Sequence, residues 1–163
     1  MALEHEYPLS PAKLFGVLTD LEYLKARHER FGGVGTPTVE SDGDTIVVTT
    51  ERQLPLDKVP GTFRSFVGDG RIIQIDTWAG DEAANDEGPV HGVWTATVGT
   101  APATINGAHV ISAADDGSTY EITTNVKVKI PFFGGKVEEQ ISGYLEHLIS
   151  KEQAYLAEWI ADQ

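Results

Sequence analysis

The chain contains no cysteine among its 163 residues, which excludes disulfides, thiolate metal sites and cysteine nucleophiles together. Basic residues are also scarce, with 12 Lys and Arg against 25 Asp and Glu and a net charge of −13. Neutralising a phosphate backbone requires concentrated Lys and Arg, so no nucleic-acid partner is expected. The same balance disfavours an anionic membrane surface. No apolar run approaches the ~20 residues of a membrane span, so no stable membrane insertion is expected either. The first residues, Met1 to Tyr7, lack the basic region and apolar stretch of a signal peptide, and the expected location is the cytoplasm.

Chemistry-bearing motifs are missing as well. His5, His28, His91, His109 and His147 are scattered, without His-Glu-x-x-His or a comparable ligand spacing, so neither a metal nor a cofactor is expected. The glycines of Gly32-Gly33-Val34-Gly35 follow a helical pattern where a nucleotide-binding loop would follow a strand, and the lysine of a phosphate loop is absent. No Gly-x-Ser-x-Gly elbow supports a covalent hydrolase. The acidic run from Asp81 to Glu87 lacks the calcium-loop pattern and reads as a solvated hairpin loop.

What is present is periodicity. A strand from Leu3 to Leu9 leads to Ser10-Pro11, a capping hydroxyl with proline at the first helical position. Thr19 and Glu22, at capping-box spacing, are expected to open a second short helix that ends at Gly32-Gly33. Six strands are expected next: Gly35 to Ser41, Asp44 to Leu54, Arg71 to Ala79, Gly88 to Val98, Thr104 to Ala114 and Ser118 to Ile130. The longer connection from Pro55 to Gly70 reads as a helical turn or an apolar flap. After Pro131-Phe132-Phe133-Gly134-Gly135 the period changes to that of a long helix carrying Val137, Ile141, Tyr144, Leu145, Leu148, Tyr155, Leu156, Trp159 and Ile160. The expected architecture is α+β: one domain over residues 1–163, with a strongly curved antiparallel sheet of about seven strands around the C-terminal helix, two short helices after the first strand, and space for a cavity between sheet and helix.

Polar residues on faces that should be dry are the site candidates. Glu152 falls within the apolar arc of the last helix, where a carboxylate needs a partner or a raised pKa. It can orient a ligand, act as an acid or base, sit at the cavity mouth, or pair with a core hydroxyl. Arg52 shares a strand face with Ile46, Val48, Thr50 and Leu54, and can meet Glu152 or a ligand carboxylate, or extend to solvent over its apolar stem. His109 is in phase with Ile105 and Ile111, and His28 with Leu21, Leu24 and Phe31; each is either a hydrogen-bonded core residue or a catalyst. Trp94 alternates with small residues, which leaves room for a guest or lets the indole fill the space itself. The isoleucines flanking Trp78 leave its phase open.

Element order and several segments resemble a known family. The order is similar to the helix-grip fold of the START and birch-pollen-allergen-like (SRPBCC) superfamily. More narrowly, Leu54 to Val67, Ala101 to Gly107, Val126 to Glu138 and the terminal Glu152 to Ile160 resemble the mainly actinobacterial domain of unknown function family 2505. The resemblance implies a binding or carrier protein for a small hydrophobic or lipid-like molecule held between sheet and helix. Arg52, Trp94, His109, Glu152 and Tyr155 are then the expected lining. It also admits a polyketide cyclase- or dehydratase-like enzyme and a co-chaperone-like interaction module.

Overall fold

Period-two alternation builds a seven-stranded, wholly antiparallel sheet in the computed structural model, which describes residues 1–163. The strands are β1 Ala2–Tyr7, β2 Thr38–Asp42, β3 Thr45–Gln53, β4 Arg71–Ala79, β5 Val90–Val98, β6 Ala103–Ala114 and β7 Gly117–Val128. Strands β2 to β7 form a meander, and β1 pairs with β7 at the far edge. On β5 the alternation is strict: Val90, Gly92, Trp94, Ala96 and Val98 are buried, and the residues between them are exposed. On β4, Ile72, Asp76 and Trp78 point inward and Ile73 and Ile75 outward, which fixes the phase that the flanking isoleucines leave open.

Four helices cover the inner face: α1 Pro11–Leu18, α2 Leu21–Arg30, α3 Gly61–Val67 and α4 Gly134–Ala161. Ser10 caps α1 through the Lys13 N–H, with Pro11 in the first turn. The start of α2 differs from the expected capping box. The Thr19 hydroxyl donates to the Phe15 carbonyl at 2.9 Å and so closes α1, while Asp20 accepts the Glu22 N–H at 3.4 Å and opens α2. With so short a junction, one residue finishes a helix and the next begins another.

The buried stripe of α4 runs through Val137, Leu145, Ile149, Gln153 and Leu156. Its deepest polar residue is therefore Gln153, and Glu152 sits at the margin of the stripe, one residue and about 100° away. The main core includes Leu14, Tyr23, Leu24, Trp78, Trp94, Ile111, Tyr120 and Leu156. A second, smaller core joins Phe63 of α3 to Val128, Ile130 and Val137, tying the Pro55 to Gly70 connection to the start of α4.

Candidate functional site

Two cavities lie between the sheet and α4. The outer one has a volume of about 540 Å³ and is mainly apolar, with Ile72, Ala96, Val98 and Ile105 as its floor, Ile141, Tyr144 and Leu145 of α4 on one side, and Val59, Phe63 and Val67 of the connection as its cover. That volume lies within the ~300–1,000 Å³ common for small-molecule sites. The inner one is about 50 Å³, room for a few water molecules or the polar end of a ligand. Its walls include Tyr23, Arg27, Asp76, His109, Tyr120 and Glu152 among apolar neighbours. Leu145 is the one residue that lines both.

A polar chain crosses the floor of the inner cavity from β4 to β7. His109 Nε2 lies 2.7 Å from Asp76 Oδ1, and the Tyr120 hydroxyl lies 2.9 Å from His109 Nδ1. Burial, the largest influence, pushes the Asp76 carboxyl up, but its bond to His109, the His109 and Arg27 charges and the Gln74 amide together hold it below the usual aspartate value. With Asp76 ionised, Nε2–H of His109 donates to it; Nδ1 accepts from the Tyr120 hydroxyl when the imidazole is neutral and donates to that oxygen when it is charged. Burial, and after it the Asp76 charge, raises the Tyr120 phenol well above its ordinary value, so it stays protonated.

Gly92 makes this chain possible. It stands opposite Trp78 on one side and His109 on the other. A Cβ there would come within 2.9 Å of the Trp78 ring and 3.3 Å of His109. Without one, the indole and imidazole stack at 4.6 Å with 15° between planes, and His109 reaches over β5 to Asp76.

The charged wall is built from Arg27 of α2 and Glu152 of α4, with Arg52 of β3 behind it. Arg52 Nη1 lies 2.8 Å from Glu152 Oε1, an ion pair without aligned hydrogen-bond geometry, so both atoms keep unused hydrogen-bonding capacity. Burial pushes the Glu152 carboxyl up, yet Arg52 and Arg27 together hold it below its ordinary value. Arg27 itself is in no ion pair; its guanidinium packs over the Tyr23 ring at 5.7 Å. Burial disfavours its charge most, and the nearby Glu152, Tyr23, Asp76 and Tyr120 more than compensate. Burial also lifts the Tyr23 phenol to about 12.

Of the residues singled out in the sequence, Trp94, His109 and Glu152 line the inner cavity. Trp94 stands opposite Gly107 and its Nε1 donates to the Thr123 carbonyl at 3.1 Å, so the indole occupies the space the small residues open. Arg52 lies behind Glu152 rather than in either cavity wall. Tyr155 lies outside both as well: one residue beyond the buried side of α4, it packs with Tyr23, Phe31 and Trp159. His28 is a core residue, its Nε2 at 2.9 Å from the Val34 carbonyl and its ring against Gly33, where any Cβ would collide. Arg27, Asp76, Tyr120 and Tyr23 are the site residues that sequence reasoning passed over. An arginine one turn after Tyr23 on a short amphipathic helix, and an aspartate in phase with Trp78, were the available signals. No group of three or more His, Asp or Glu side chains is arranged to hold a metal ion.

The model of the family described as Protein of unknown function (DUF2505) matches residues 2–160. The chain belongs to this family. Uncharacterized proteins of Mycobacterium tuberculosis and Mycobacterium bovis are 28% identical to it over 173 aligned residues, covering 96% of this chain and 94% of theirs. Among solved structures, TTHA0849 from Thermus thermophilus aligns with a TM-score of 0.64 at 16% identity, over 97% of this chain and 94% of that one. The Zhui aromatase/cyclase of a Streptomyces species aligns at 0.60 and 9% identity, covering 96% and 91%. Human STARD10 aligns at 0.55 and 13% identity, covering 99% of this chain and 66% of that one. At these identities the likeness is one of fold alone: this DUF2505 chain shares the curved antiparallel sheet and long C-terminal helix of these structures. No helix of the chain is long and apolar enough to cross a membrane.

Proposed function

We propose that this protein binds or carries a small, largely apolar molecule bearing a polar end. The observation that carries the reading is the pair of adjoining cavities: an apolar one of about 540 Å³ for the body of the ligand, and a polar one of about 50 Å³ for its end. Leu145 between them is a flexible side chain that can turn aside, and Arg27, without an ionic partner, supplies hydrogen-bond donors on the far side. Its charge is offset at a distance by Glu152 and Asp76 without a direct ion pair, so a guanidinium standing at the cavity wall is suited to a ligand oxygen. Native mass spectrometry after gentle purification, followed by solvent extraction, tests this directly. A copurified apolar compound that is lost in Ala96→Phe, which fills the outer cavity, is the expected result. Absence of any bound compound, together with failure to bind added apolar ligands, overturns the reading.

A second reading, catalysis, is favoured by the Asp76, His109 and Tyr120 chain. A hydroxyl whose proton is held by an imidazole backed by a carboxylate is suited to moving protons to and from a bound carbonyl compound. If the copurified compound is turned over, Tyr120→Phe and His109→Ala should each slow turnover by about 100-fold or more while binding persists. Unchanged turnover in both variants rules these roles out.

A further inference from the structure

Glu152 and Gln153 are neighbours on α4, and both line the inner cavity. Each carries a buried polar atom without a hydrogen bond in the protein. On Glu152 it is Oε1, which stands 2.8 Å from Arg52 but out of line with its N–H groups. On Gln153 it is Nε2, although the residue is only 6% exposed and its backbone carbonyl accepts the Tyr7 hydroxyl at 3.0 Å. Buried polar atoms nearly always have partners, and one left without costs free energy until something satisfies it. The neighbouring Arg27 guanidinium on the same wall is in no ion pair.

These groups ask for different things. Against the burial that raises it, Arg52 and Arg27 keep the Glu152 carboxyl ionised, so its oxygen only accepts. The guanidinium only donates, and a carboxamide does either. A ligand end that meets the whole set must both donate and accept. Charge narrows the choice further. Arg27 and Arg52 balance Asp76 and Glu152; Tyr23 and Tyr120 stay protonated, and His109 is held between Asp76 and Tyr120. A carboxylate would bring a third anion up to Glu152, and an ammonium a third cation up to Arg27, each leaving an uncompensated charge out of water. An ether or ketone would serve Arg27 and leave Glu152 unsatisfied. The smallest group that fits is a hydroxyl, which also suits a chamber of about 50 Å³.

We propose that Glu152 and Gln153 make the inner cavity selective for molecules ending in an uncharged hydroxyl, and that Glu152 is the residue that turns carboxylic acids away. The inference rests on the carrier reading and specifies the polar end that reading leaves open.

Titration calorimetry with decan-1-ol, decyl methyl ether, decanoate and decylammonium tests it at about pH 8, above the ordinary imidazole range. Unbranched chains are used because they pass most easily beside Leu145. The alcohol should bind at least about ten-fold more tightly than the ether, which cannot donate to Glu152. It should exceed both ions by at least as much. Glu152→Gln leaves the wall one positive charge in excess and should raise the affinity for decanoate relative to the alcohol by at least about ten-fold. Arg27→Met, which leaves Arg52 and Glu152 paired, should shift the preference toward decylammonium to a similar extent. Gln153→Leu should weaken alcohol and ether alike by about two- to ten-fold. A merely structural role for these residues would weaken all four probes together. Ether or either ion binding the wild type as tightly as the alcohol, or charge variants that keep the wild-type order, overturns the inference and leaves the carrier reading standing. Failure of every probe to bind overturns both.

Discussion

Arg52 Nη1 on β3 and Glu152 Oε1 on α4 lie 2.8 Å apart, linking the sheet to the long helix behind the charged wall of the inner cavity. Both side chains are largely withdrawn from water, at 5% and 17% exposure. Arg52→Met should therefore destabilise the protein by about 3 kcal/mol, at the lower end of what breaking a buried pair costs, because Arg27 remains to compensate Glu152 partly. The double variant Arg52→Met/Glu152→Met should recover most of that loss. Urea unfolding of the four members of this cycle gives the coupling directly; single and double variants of equal stability would show that the two residues do not interact.

The depressed carboxyls set the acid limit of stability. Asp76 and Glu152 both titrate below their ordinary values of 3.8 and 4.5 in the folded protein. The unfolded chain thus binds protons first as pH falls, and the stabilisation these groups give is complete above the ordinary range and lost progressively below it. The melting temperature should change little through these two groups between about pH 7 and pH 5 and fall steeply below about pH 4. Asp76→Asn should lower the neutral-pH melting temperature and flatten the acid slope. An unchanged slope in that variant would mean that Asp76 is not held ionised.

Gly92 should be the least replaceable residue of β5. Alanine there sets a methyl against Trp78 and His109, and their stack must open. A cost of about 1–3 kcal/mol is expected for such overpacking, accompanied by a change in tryptophan fluorescence and in the His109 imidazole resonances. Gly135, which has open space around it, provides the control: its replacement by alanine should leave both signals unaltered.

Much of this architecture is written in local patterns. Arg71 to Ala79 emerges as β4 with the bounds its sequence predicts, and the pairing of Arg52 with Glu152 follows from two polar residues interrupting two apolar faces. Periodicity gives phase, so it detects a residue that violates its own face. It cannot detect a cluster whose members come from α2, β4 and β7 and meet only when the sheet curves. Asp76 lies among isoleucines on both faces of its strand, Tyr120 is an ordinary inward aromatic, and Arg27 belongs to a helix whose polar residues outnumber its apolar ones. Tyr155 illustrates the converse: the helical wheel puts it on the apolar arc, but a rotation of the buried stripe toward Gln153 turns it to the α2 aromatics.

Leu145 gives the clearest test of how the two cavities work together. It is the wall they share, and it is 7% exposed. Truncation to alanine should cost about 2–4 kcal/mol, in the range for a buried leucine, and should also join the chambers. The fluorescent ketone prodan, whose apolar naphthalene suits the outer cavity, reports the difference through its carbonyl. In the wild type its emission should be blue-shifted, as in an apolar site. In Leu145→Ala the carbonyl gains access to the donors of Arg27, and the emission should move to the red while binding tightens. Adding Arg27→Met to that variant should restore the blue emission and weaken binding by about ten- to 150-fold, the worth of a hydrogen bond to a charged group. Identical emission in Leu145→Ala and the double variant would mean that the polar chamber does not receive the ligand's end.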